Sequence, residues 1–344
     1  MFRHNASHLG GQHDPEIAIV VPTHQGEHLE TCVKSLLSQA YPNHHILIVD
    51  NASKQRNYEN LFRGCQKLKI MRFRTNLGYA KANNVAASAV NAPYIAFLND
   101  DVIVTKDWLT ELVRVMDTNP KAGIVQPKLL KFDGKFLDSA GDYIDKFGFE
   151  MRRGGDWEEV DYGQYDEDVQ IFSARGAAFL ISKELFSRLG GFDENLSLTF
   201  TDIDLCWRAR LEGYQIVYAP KSVVFHYGSA STPSSLRAYY STRNRISILF
   251  KNYETCNALK FGFISIILNF VSVLGEIVIS RNGKLAVARL RGIIAFLSDL
   301  KITLSKRREV QSSRKVSDTE IMQLMRGKPL LFTHWLRLYL LRKK

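Results

Sequence analysis

Cysteine is scarce in this sequence, and the few cysteines present form no paired motif. Only Cys32, Cys65, Cys206 and Cys256 occur in 344 residues, and no two of them make a C-x-x-C. Their wide spacing argues against a compact zinc cluster or a redox dithiol and is typical of a protein in a reducing compartment. The first 15 residues are polar and contain no apolar signal-peptide core, so we expect no secretory signal and a cytoplasmic location.

A second absence concerns dinucleotide cofactors. No G-x-G-x-x-G follows the first apolar run at 17–21, which argues against a dinucleotide-dependent oxidoreductase. The chain does have a globular composition, with 45% hydrophobic, 11% aromatic and 24% charged residues. This composition excludes disordered, collagen-like and small disulfide-rich proteins. The length is sufficient for one large α/β domain with an appendage, or for two ordinary domains.

Basic residues are unevenly distributed along the chain. Residues 1–229 contain 25 Lys and Arg against 29 Asp and Glu, whereas residues 230–344 contain 21 against 6. The net charge of +11 therefore comes entirely from the C-terminal third. Such a segment is typical of contact with an anionic surface, either nucleic acid or the cytoplasmic leaflet of a membrane. Because no nucleic-acid-binding signature accompanies the basic residues, we expect no nucleic acid partner.

Three segments of this basic region are apolar enough to contact lipid. Residues 261–280 include one charged residue, Glu276, and are about long enough to cross a hydrocarbon core. Their helical periodicity also fits a helix that lies at the membrane surface. Residues 285–304 and 330–341 combine apolar residues with arginine and lysine, a pattern that favours anionic lipid. The alternative is a packed helical subdomain with a solvated basic face.

The N-terminal part alternates apolar runs with amphipathic segments. The runs at 17–21, 46–49 and 94–98 predict buried parallel strands, a further strand is expected at 69–73, and the segments between them predict helices. Such a doubly wound sheet binds its ligand at the carboxyl ends of the strands. Ordinary turn and N-cap residues are the alternative interpretation of any one polar cluster there. The polar residues at these ends are Pro22, Thr23, Asp50, Asn51, Asn76, Asn99, Asp100 and Asp101.

The second half of the chain is less regular. Residues 127–168 are acidic and aromatic, and they predict an extended excursion or hairpin that covers the site. Apolar patterns typical of strands return at 172–181, 215–219 and 223–226, with a helix at 183–189. We expect this half to complete the sheet and to supply a second substrate site.

Two adjacent carboxylates follow the predicted strand at 94–98. Asp100 and Asp101 offer the oxygen ligands that Mg²⁺ and Mn²⁺ prefer, and such ions often bind substrate phosphates as well. A cation held there would neutralise a diphosphate leaving group. His226 ends a later predicted strand and could add an imidazole ligand, although a lone histidine is more often a polar residue with no ligand.

A second acidic cluster is Thr201-Asp202-Ile203-Asp204. Carboxylates at i and i+2 do not share one face of a helix, so at most one of them belongs to a site if both are helical. Asp202 is nearer the preceding loop and could accept a proton from an incoming hydroxyl as general base. Asp204 could instead pair with Arg208 at i+4. The alternative is a helix start whose acidic residues complement the helix dipole.

Several short motifs occur together in an order that points to a known family. They are IVVPT at 19–23, VDNAS at 49–53, NLGYA at 76–80 with Asn83-Asn84, FLNDD at 97–101, GGFD at 190–193 and DIDLC at 202–206. In this order and spacing the sequence resembles the family 2 glycosyltransferases of GT-A fold. The segment YYSTRN at 239–244 is similar to a tail motif of their rhamnosyltransferase-like members. The resemblance covers residues 16–252.

The resemblance implies an α/β architecture, a GT-A doubly wound mixed sheet followed by a basic, helical, membrane-associating region. We expect a flexible N-terminus at 1–15, a glycosyltransferase domain at 16–252 and a basic amphipathic tail at 253–344. Within the domain, residues 16–126 would form the nucleotide-binding half and residues 127–252 the acceptor half. The protein would then be peripheral or monotopic at the inner face of the cell membrane.

The resemblance also implies a reaction. This is the inverting, metal-dependent transfer of a sugar, rhamnose being one candidate, from a dTDP- or UDP-sugar to a hydroxyl of a cell-surface polysaccharide or lipid-linked glycan. The implied partners are the nucleotide-sugar donor, the glycan acceptor and an anionic membrane surface, and the implied cofactor is Mg²⁺ or Mn²⁺. The alternative is a catalytically inactive nucleotide-sugar-binding protein or membrane scaffold.

Site residues are carried over from the family motifs by position. Asp101 would bind the metal together with His226, and Asp202 would be the catalytic base. Asp50 would read the pyrimidine edge of the base. The residues implied to bind the nucleotide are Pro22, Thr23, Asp50, Asn51, Asn76, Gly78, Asn99 and Asp100.

The acceptor side is implied to include Arg175, Gly176, Thr201 and Trp207. Trp207 has two interpretations, a stacking face for a sugar or a core residue. The family usually has Glu at the position of Thr201, and this departure favours the inactive alternative. The carboxylates of Asp100, Asp101 and Asp202 argue against that alternative.

Overall fold

Strands and helices alternate through the first half of the chain, as the apolar periodicity predicts. A computed structural model describes residues 14–54, 58–228 and 232–326. The predicted strands at 17–21, 46–49, 69–73 and 94–98 correspond to β1, β2, β3 and β4. The elements of this half are β1 (Ile17–Thr23), α1 (Leu29–Leu37), β2 (His44–Asn51), α2 (Tyr58–Leu61), β3 (Leu68–Phe73), α3 (Tyr79–Ala89), β4 (Tyr94–Leu98), β5 (Val102–Val104), α4 (Trp108–Thr118) and β6 (Ala122–Lys131).

The second half begins with short strands and ends in helices. The predicted strands at 215–219 and 223–226 form one long strand, β12, with an irregularity between Ala219 and Val223. The elements are β7 (Leu137–Ser139), β8 (Asp142–Ile144), β9 (Glu150–Arg152), β10 (Val169–Gln170), β11 (Ala178–Ser182), α5 (Lys183–Arg188), a 3-10 turn (Glu194–Leu196), α6 (Thr201–Leu211), β12 (Gln215–His226), α7 (Ser234–Asn252), α8 (Thr255–Val278), α9 (Gly283–Ser298), α10 (Leu300–Ser313) and α11 (Asp318–Gln323).

One mixed sheet joins the two halves. Its main path runs β10-β12-β6-β11-β4-β1-β2-β3. Strands β3, β2, β1 and β4 are parallel, whereas β11 is antiparallel to both of its neighbours, β4 and β6. Strand β11 thus links the predicted nucleotide-binding half to the rest of the sheet. The fold is a mixed α/β sheet, as expected.

Apolar residues cover both faces of this sheet. Along β1, Ile17 and Ile19 point to one buried cluster, and Ala18 and Val20 point to another on the opposite face. All four side chains are fully buried. Burial on both faces explains why the parallel strands read as continuous apolar runs rather than as an alternation.

The described part of the C-terminal tail packs against the sheet domain. A third apolar cluster brings Trp207 of α6 and Tyr253 together with Val310 of α10 and Ile321 of α11. The predicted apolar segment at 285–304 is divided between α9 and α10 at Asp299, whose carboxylate lies 2.6 Å from Arg243 Nη2. Residues 1–13 of the predicted flexible N-terminus and the whole candidate segment 330–341 lie outside the described residues.

Buried ion pairs join the start of α6 to the helical tail. Lys251 of α7 is paired with Asp193, and its Nζ lies 2.8 Å from Asp204 Oδ1; Arg208 Nε lies 2.8 Å from Asp204 Oδ2. Lys306 of α10 is also paired with Asp193. Burial opposes ionisation of both carboxyl groups, but these cations reverse its effect and hold the pKa of Asp193 and of Asp204 below the usual range.

Replacing Lys251 with Met should strongly destabilise the protein, because two buried carboxylates would lose the cation that they share. We expect the free energy of unfolding to fall by about 3–5 kcal/mol. Urea unfolding followed by circular dichroism measures the change. The control is Lys34→Met, whose side chain is 72% exposed and pairs with Glu30 on one helix, and we expect it to cost less than about 1 kcal/mol.

The difference between wild type and Lys251→Met should shrink as the pH falls toward about 3, since carboxyl groups with a depressed pKa stabilise the fold only while they are ionised. Equal unfolding midpoints for Lys251→Met and Lys34→Met at neutral pH would contradict this account.

Candidate active site

A cavity of about 830 Å³ opens at the carboxyl edge of the parallel strands. The carboxyl ends of parallel strands meet at one edge of a sheet, so residues far apart in sequence become neighbours there. Of the residues that sequence reasoning selects, those on the wall are Pro22, Thr23, Asn51, Asn76, Gly78, Asn99, Asp100, Asp101, Arg175, Gly176, Thr201, Asp202 and His226. The cavity therefore brings together all but two of them.

Asp50 is one of the two that do not line the cavity. Its carboxylate is 1% exposed and accepts hydrogen bonds from the backbone N–H and the hydroxyl of Ser53, and Arg72 Nε lies 3.2 Å away. Successive residues of a strand point to opposite faces, and here Asn51 takes the cavity side. The expectation that Asp50 faces the nucleotide base has no support in this arrangement.

Trp207 is the second exception, and its proposed contact with acceptor is wrong. The indole is fully buried and packs edge-on against Tyr253, with ring centroids 4.9 Å apart, and against Phe172. It belongs to the core cluster under α6. A ring with no exposed face offers a sugar nothing to stack on.

Asparagine side chains organise the wall near β2 and α3. Asn51 Nδ2 donates to Asn76 Oδ1 at 3.0 Å, and the backbone N–H of Leu77 donates to Asn51 Oδ1 at 2.8 Å. Asn76 Oδ1 also accepts from the backbone N–H of Gly78, whose φ of +76° favours glycine. These bonds fix the strand end and the start of α3 as one polar surface.

Histidines from the loop after β1 also line the cavity, although sequence reasoning did not select them. His24 Nδ1 lies 2.8 Å from the carbonyl oxygen of Asn51, and the ring of His28 stacks on Tyr227 at 3.8 Å. The chain turns at Gly26, where φ is +62° and an added Cβ would lie 2.2 Å from Tyr58 Oη. The sequence shows a short polar loop at 22–26, but its pattern does not indicate which side chains face the cavity.

Asp100 and Asp101 lie next to each other on the cavity wall with different partners. Thr23 Oγ1 donates to Asp100 Oδ2 at 2.5 Å, and burial together with the charge of Asp101 raises the pKa of Asp100 despite this bond. Asp101 Oδ1 lies 3.3 Å from His226 Nε2, and His226 Nδ1 lies 2.8 Å from Asp138 Oδ2. Burial favours the neutral imidazole, but the two carboxylates outweigh it and raise the pKa of His226 to about 9.

Asp101 and His226 are the residues that could hold a divalent cation, which would displace the proton between the His226 imidazole and Asp101. Among the described residues there is no group of three or more His, Cys, Asp or Glu side chains arranged to hold a metal. Two protein ligands fit Mg²⁺ or Mn²⁺ that is completed by water and substrate phosphate. The orientation of His226 by Asp138, which sequence reasoning missed, resembles the support that metal-binding histidines commonly have.

Asp202 stands at the first turn of α6 and lines the same cavity. Its Oδ2 accepts from the backbone N–H of Gly176 at 2.7 Å, and its Oδ1 accepts from the backbone N–H of Ile203 at 2.9 Å. A Cβ at Gly176 would lie 3.1 Å from Asp202 Oδ2, so glycine permits the close approach. Each carboxylate oxygen retains a lone pair for a ligand in the cavity.

Asp204 has the structural role that its spacing predicts. It is fully buried and pairs with Arg208 one turn later, so only Asp202 of the two belongs to the cavity. Phe200, which precedes α6, has a φ of +66°, a conformation that costs non-glycine residues about 1–3 kcal/mol and is often found at functional sites. The paired helices α6 and α7 hold this strained turn in place.

Arg175 and Glu150 complete the wall beside Asp202. Arg175 Nη1 donates to Asp142 Oδ2 at 2.9 Å, and its backbone N–H donates to Gln126 Oε1 at 2.7 Å. Glu150 of β9 comes from the irregular excursion that was expected to cover the site. Sequence reasoning did not select Glu150, because no local pattern distinguishes it from the many acidic residues of that segment.

Comparison with known proteins gives a consistent result. Residues 18–183 match the model of the family described as glycosyl transferase family 2. An O-antigen biosynthesis protein of Myxococcus xanthus, RfbC, is 29% identical over 63% of this chain, which spans only 18% of that protein. An N-acetylglucosaminyl-diphospho-decaprenol L-rhamnosyltransferase of Mycobacterium tuberculosis is 22% identical over 67% of this chain and 82% of its own length.

A solved structure supports the fold. The crystal structure of GalNAc-T7 with UDP, GalNAc and Mn²⁺ superposes with a TM-score of 0.54 at 16% identity, over 74% of this chain and 55% of that one. At this identity the likeness shows the fold alone, which is that of the GT-A glycosyltransferases.

Proposed function

Since the chain belongs to glycosyltransferase family 2, we propose that it is an inverting, metal-dependent enzyme that transfers a sugar from a dTDP- or UDP-sugar to a hydroxyl of a cell-surface polysaccharide or lipid-linked glycan. The observation that carries the proposal is the position of Asp202. Asp202, at the first turn of α6, lines the same cavity as the Asp101–His226 pair. A base and a phosphate-binding site in one cavity are what a single displacement requires.

The donor would lie on the wall formed by the parallel strands. Thr23, Asn51, Asn76 and Gly78 present hydroxyl, amide and backbone groups there, which suit a base and a ribose. Asp101 and His226 would hold Mg²⁺ or Mn²⁺, and the ion, when bound, supplies positive charge to the departing diphosphate.

The acceptor would enter from the side of α6. Asp202 takes the proton of the acceptor hydroxyl as that oxygen forms a bond to the anomeric carbon of the donor sugar. The bond from this carbon to the diphosphate oxygen breaks, and its electron pair leaves with the nucleoside diphosphate. One attack opposite the leaving group inverts the anomeric centre.

The acceptor class is supported by the names of two relatives. One relative is named for O-antigen biosynthesis and one for rhamnosyl transfer to a diphospho-decaprenol-linked sugar. Both names indicate bacterial glycans that are built at a membrane. Rhamnose and a lipid-linked acceptor are therefore the first substrates to test on this chain.

A scaffold that binds nucleotide sugar without turnover is the second candidate function. Thr201 favours it, because this residue replaces the glutamate that usually precedes the catalytic aspartate in the family. Donor binding without release of nucleoside diphosphate, in the presence of a range of glycoside acceptors, would support the scaffold.

Replacing Asp202 with Asn should abolish transfer while nucleotide binding is retained, because the amide fills the same space but does not accept the proton. We expect the rate of nucleoside diphosphate release to fall by about 10²–10⁴-fold. A coupled assay with UDP- and dTDP-sugars and a panel of octyl glycosides measures it. Asp133→Asn, at an exposed loop position outside the cavity wall, is the control. Normal turnover in Asp202→Asn would remove this residue from the role of base.

Helix α8 presents its polar residues to the protein and its apolar residues to solvent. Ser265, Asn269, Ser272 and Glu276 are buried, and Asn269 and Glu276 contact Arg245 of α7 and Arg289 of α9. Many exposed residues of α8 to α10 are large and apolar, and together they are termed the apolar face: Phe263, Ile267, Phe270, Val271, Leu274, Ile277, Val278, Val287, Ile294, Leu297, Ile302 and Leu304. This is the reverse of a helix on the surface of a soluble protein.

We propose that this apolar face lies on the inner surface of the cell membrane. By length and composition α8 is the one helix in the described ranges that could cross a bilayer, but its buried polar residues tie it to α7 and α9. A helix held along the protein in this way fits peripheral or monotopic attachment. Lys260, Lys284, Arg291 and Lys301 are exposed around the apolar face and would attract anionic lipid.

The double variant Ile267→Asp/Leu274→Asp should lose membrane binding, because each carboxylate would have to enter the lipid interface. Sedimentation with vesicles of phosphatidylglycerol and phosphatidylcholine measures the bound fraction, and pure phosphatidylcholine tests the electrostatic part. Leu61→Asp alters an apolar residue of similar exposure, 45%, on the distant α2 and is the control. Unchanged sedimentation of the double variant would refute membrane attachment through this face.

A further inference from the structure

The acceptor wall of the cavity has a carboxylate that α6 does not supply. Thr201, at the start of α6, is 4% exposed and is not ionisable, whereas Glu150 of β9 lines the same cavity with Asp202 and Arg175. We infer that Glu150 binds a second hydroxyl of the acceptor, beside the hydroxyl that Asp202 deprotonates. The inference rests on the proposed glycosyl transfer.

The backbone around Glu150 is well supported. Glu150 pairs with Ile144 in the β8–β9 hairpin. In the turn of this hairpin, Asp145 Oδ1 accepts from the backbone N–H groups of Phe147 and Phe149, both at 2.9 Å. Gly148 has a φ of +84°, and a Cβ there would lie 2.7 Å from Arg245 Cγ. The turn is therefore determined by its own sequence and by the helix packed against it.

Helix α7 also fixes the residue next to Glu150. The guanidinium of Arg245 lies 3.9 Å from the ring centroid of Phe149, and its Nη1 donates to Asn269 of α8 at 2.9 Å. With Phe149 buried under Arg245, the next residue along the strand points to the other side, toward the cavity. Glu150 is thus presented to the cavity by a rigid strand and not by a free loop.

Neighbouring carboxylates have protein partners, and Glu150 does not. Asp138 pairs with Arg152 and Asp142 with Arg175, and Asp202 accepts two backbone N–H groups. Within the described ranges the carboxylate of Glu150 makes no hydrogen bond or ion pair with protein, and its side chain is accessible from the cavity. A carboxylate left without a partner in a site of otherwise paired charges is available to a ligand.

The electrostatic environment suits a bond to a hydroxyl. The protein that encloses the cavity is the largest cause that raises the pKa of Glu150, to about 7, and it outweighs the charge of Arg175, which favours ionisation; the charges of Asp142 and Asp202 also raise this pKa. Near neutral pH it can accept a hydrogen bond as the carboxylate or donate one as the acid. The ligand class that this predicts is a sugar with two neighbouring hydroxyls, rather than an isolated alcohol.

The test compares Glu150→Ala with wild type on pairs of acceptors. Octyl glycosides of N-acetylglucosamine, rhamnose and galactose are the probes, with deoxy analogues of whichever probe wild type glycosylates. For Glu150→Ala we expect the KM of the acceptor to rise about 10–100-fold, while the KM of the donor and the slow transfer to water stay unchanged. Glu167→Ala, exposed in the same excursion and away from the cavity, is the matched control.

The deoxy analogues separate direct contact from a structural effect. Removing from the acceptor the hydroxyl that Glu150 binds should raise the acceptor KM of wild type by a similar factor. The same change should have little further effect on the acceptor KM of Glu150→Ala. The inference would be overturned by an unchanged acceptor KM in Glu150→Ala. It would also be overturned if the deoxy analogue raised the acceptor KM equally in wild type and in Glu150→Ala. If wild type transfers sugar to none of the probes and does not hydrolyse donor, the proposed function itself fails, and the inference fails with it.

Discussion

The ion pairs between α6 and α7 are the constraint on which the arrangement of the site depends. Lys251 lies between Asp193 and Asp204, and all three are buried. Asp204 is held in the protein interior by its ion pairs. Asp202, two residues earlier on the helix, therefore points toward the cavity, where the backbone N–H of Gly176 donates to its carboxylate. The same helix α7 supports Phe149 through Arg245, and through it the hairpin that presents Glu150. The described part of the tail and the cavity wall around Asp202 and Glu150 therefore form one packed unit, and the apolar face of α8 to α10 lies on its outer side.

Much of the fold could be predicted from the sequence because its signals are local. The strands β1, β2 and β4 are apolar runs of a buried parallel sheet, and each is followed by polar residues that mark its end. The pairing of β11 between β4 and β6 could not be predicted, since antiparallel insertion is decided by contacts distant in sequence. A hairpin was one of the two possibilities predicted for residues 127–168, but the position of β8–β9 within them could not be predicted, because this hairpin is held by Asp145, Gly148 and Arg245 rather than by an alternating apolar pattern.

Part of the candidate site could also be predicted, because the motifs that carry its residues are local in sequence. Motif position placed Asp101, Asp202 and His226 near one another, and in the structure all three line one cavity. Motif position did not reveal side-chain direction, so Asp50 was assigned to the nucleotide although it is held by Ser53 and Arg72. The sequence allowed two interpretations of Trp207, a core residue or a site residue. Its complete burial shows that it belongs to the core. Glu150 and Asp138 contribute through tertiary contacts that no short motif encodes.

The measurement that tests the account most directly is calorimetric titration of the purified full chain with UDP, dTDP, GDP and NAD, each with Mn²⁺ and with a chelator. The account predicts that UDP or dTDP binds in the presence of Mn²⁺, that the chelator weakens this binding, and that Asp101→Asn removes the dependence on Mn²⁺. Binding of NAD alone, or no binding of any nucleotide to a folded sample, would contradict the assignment of the cavity to a nucleotide-sugar donor.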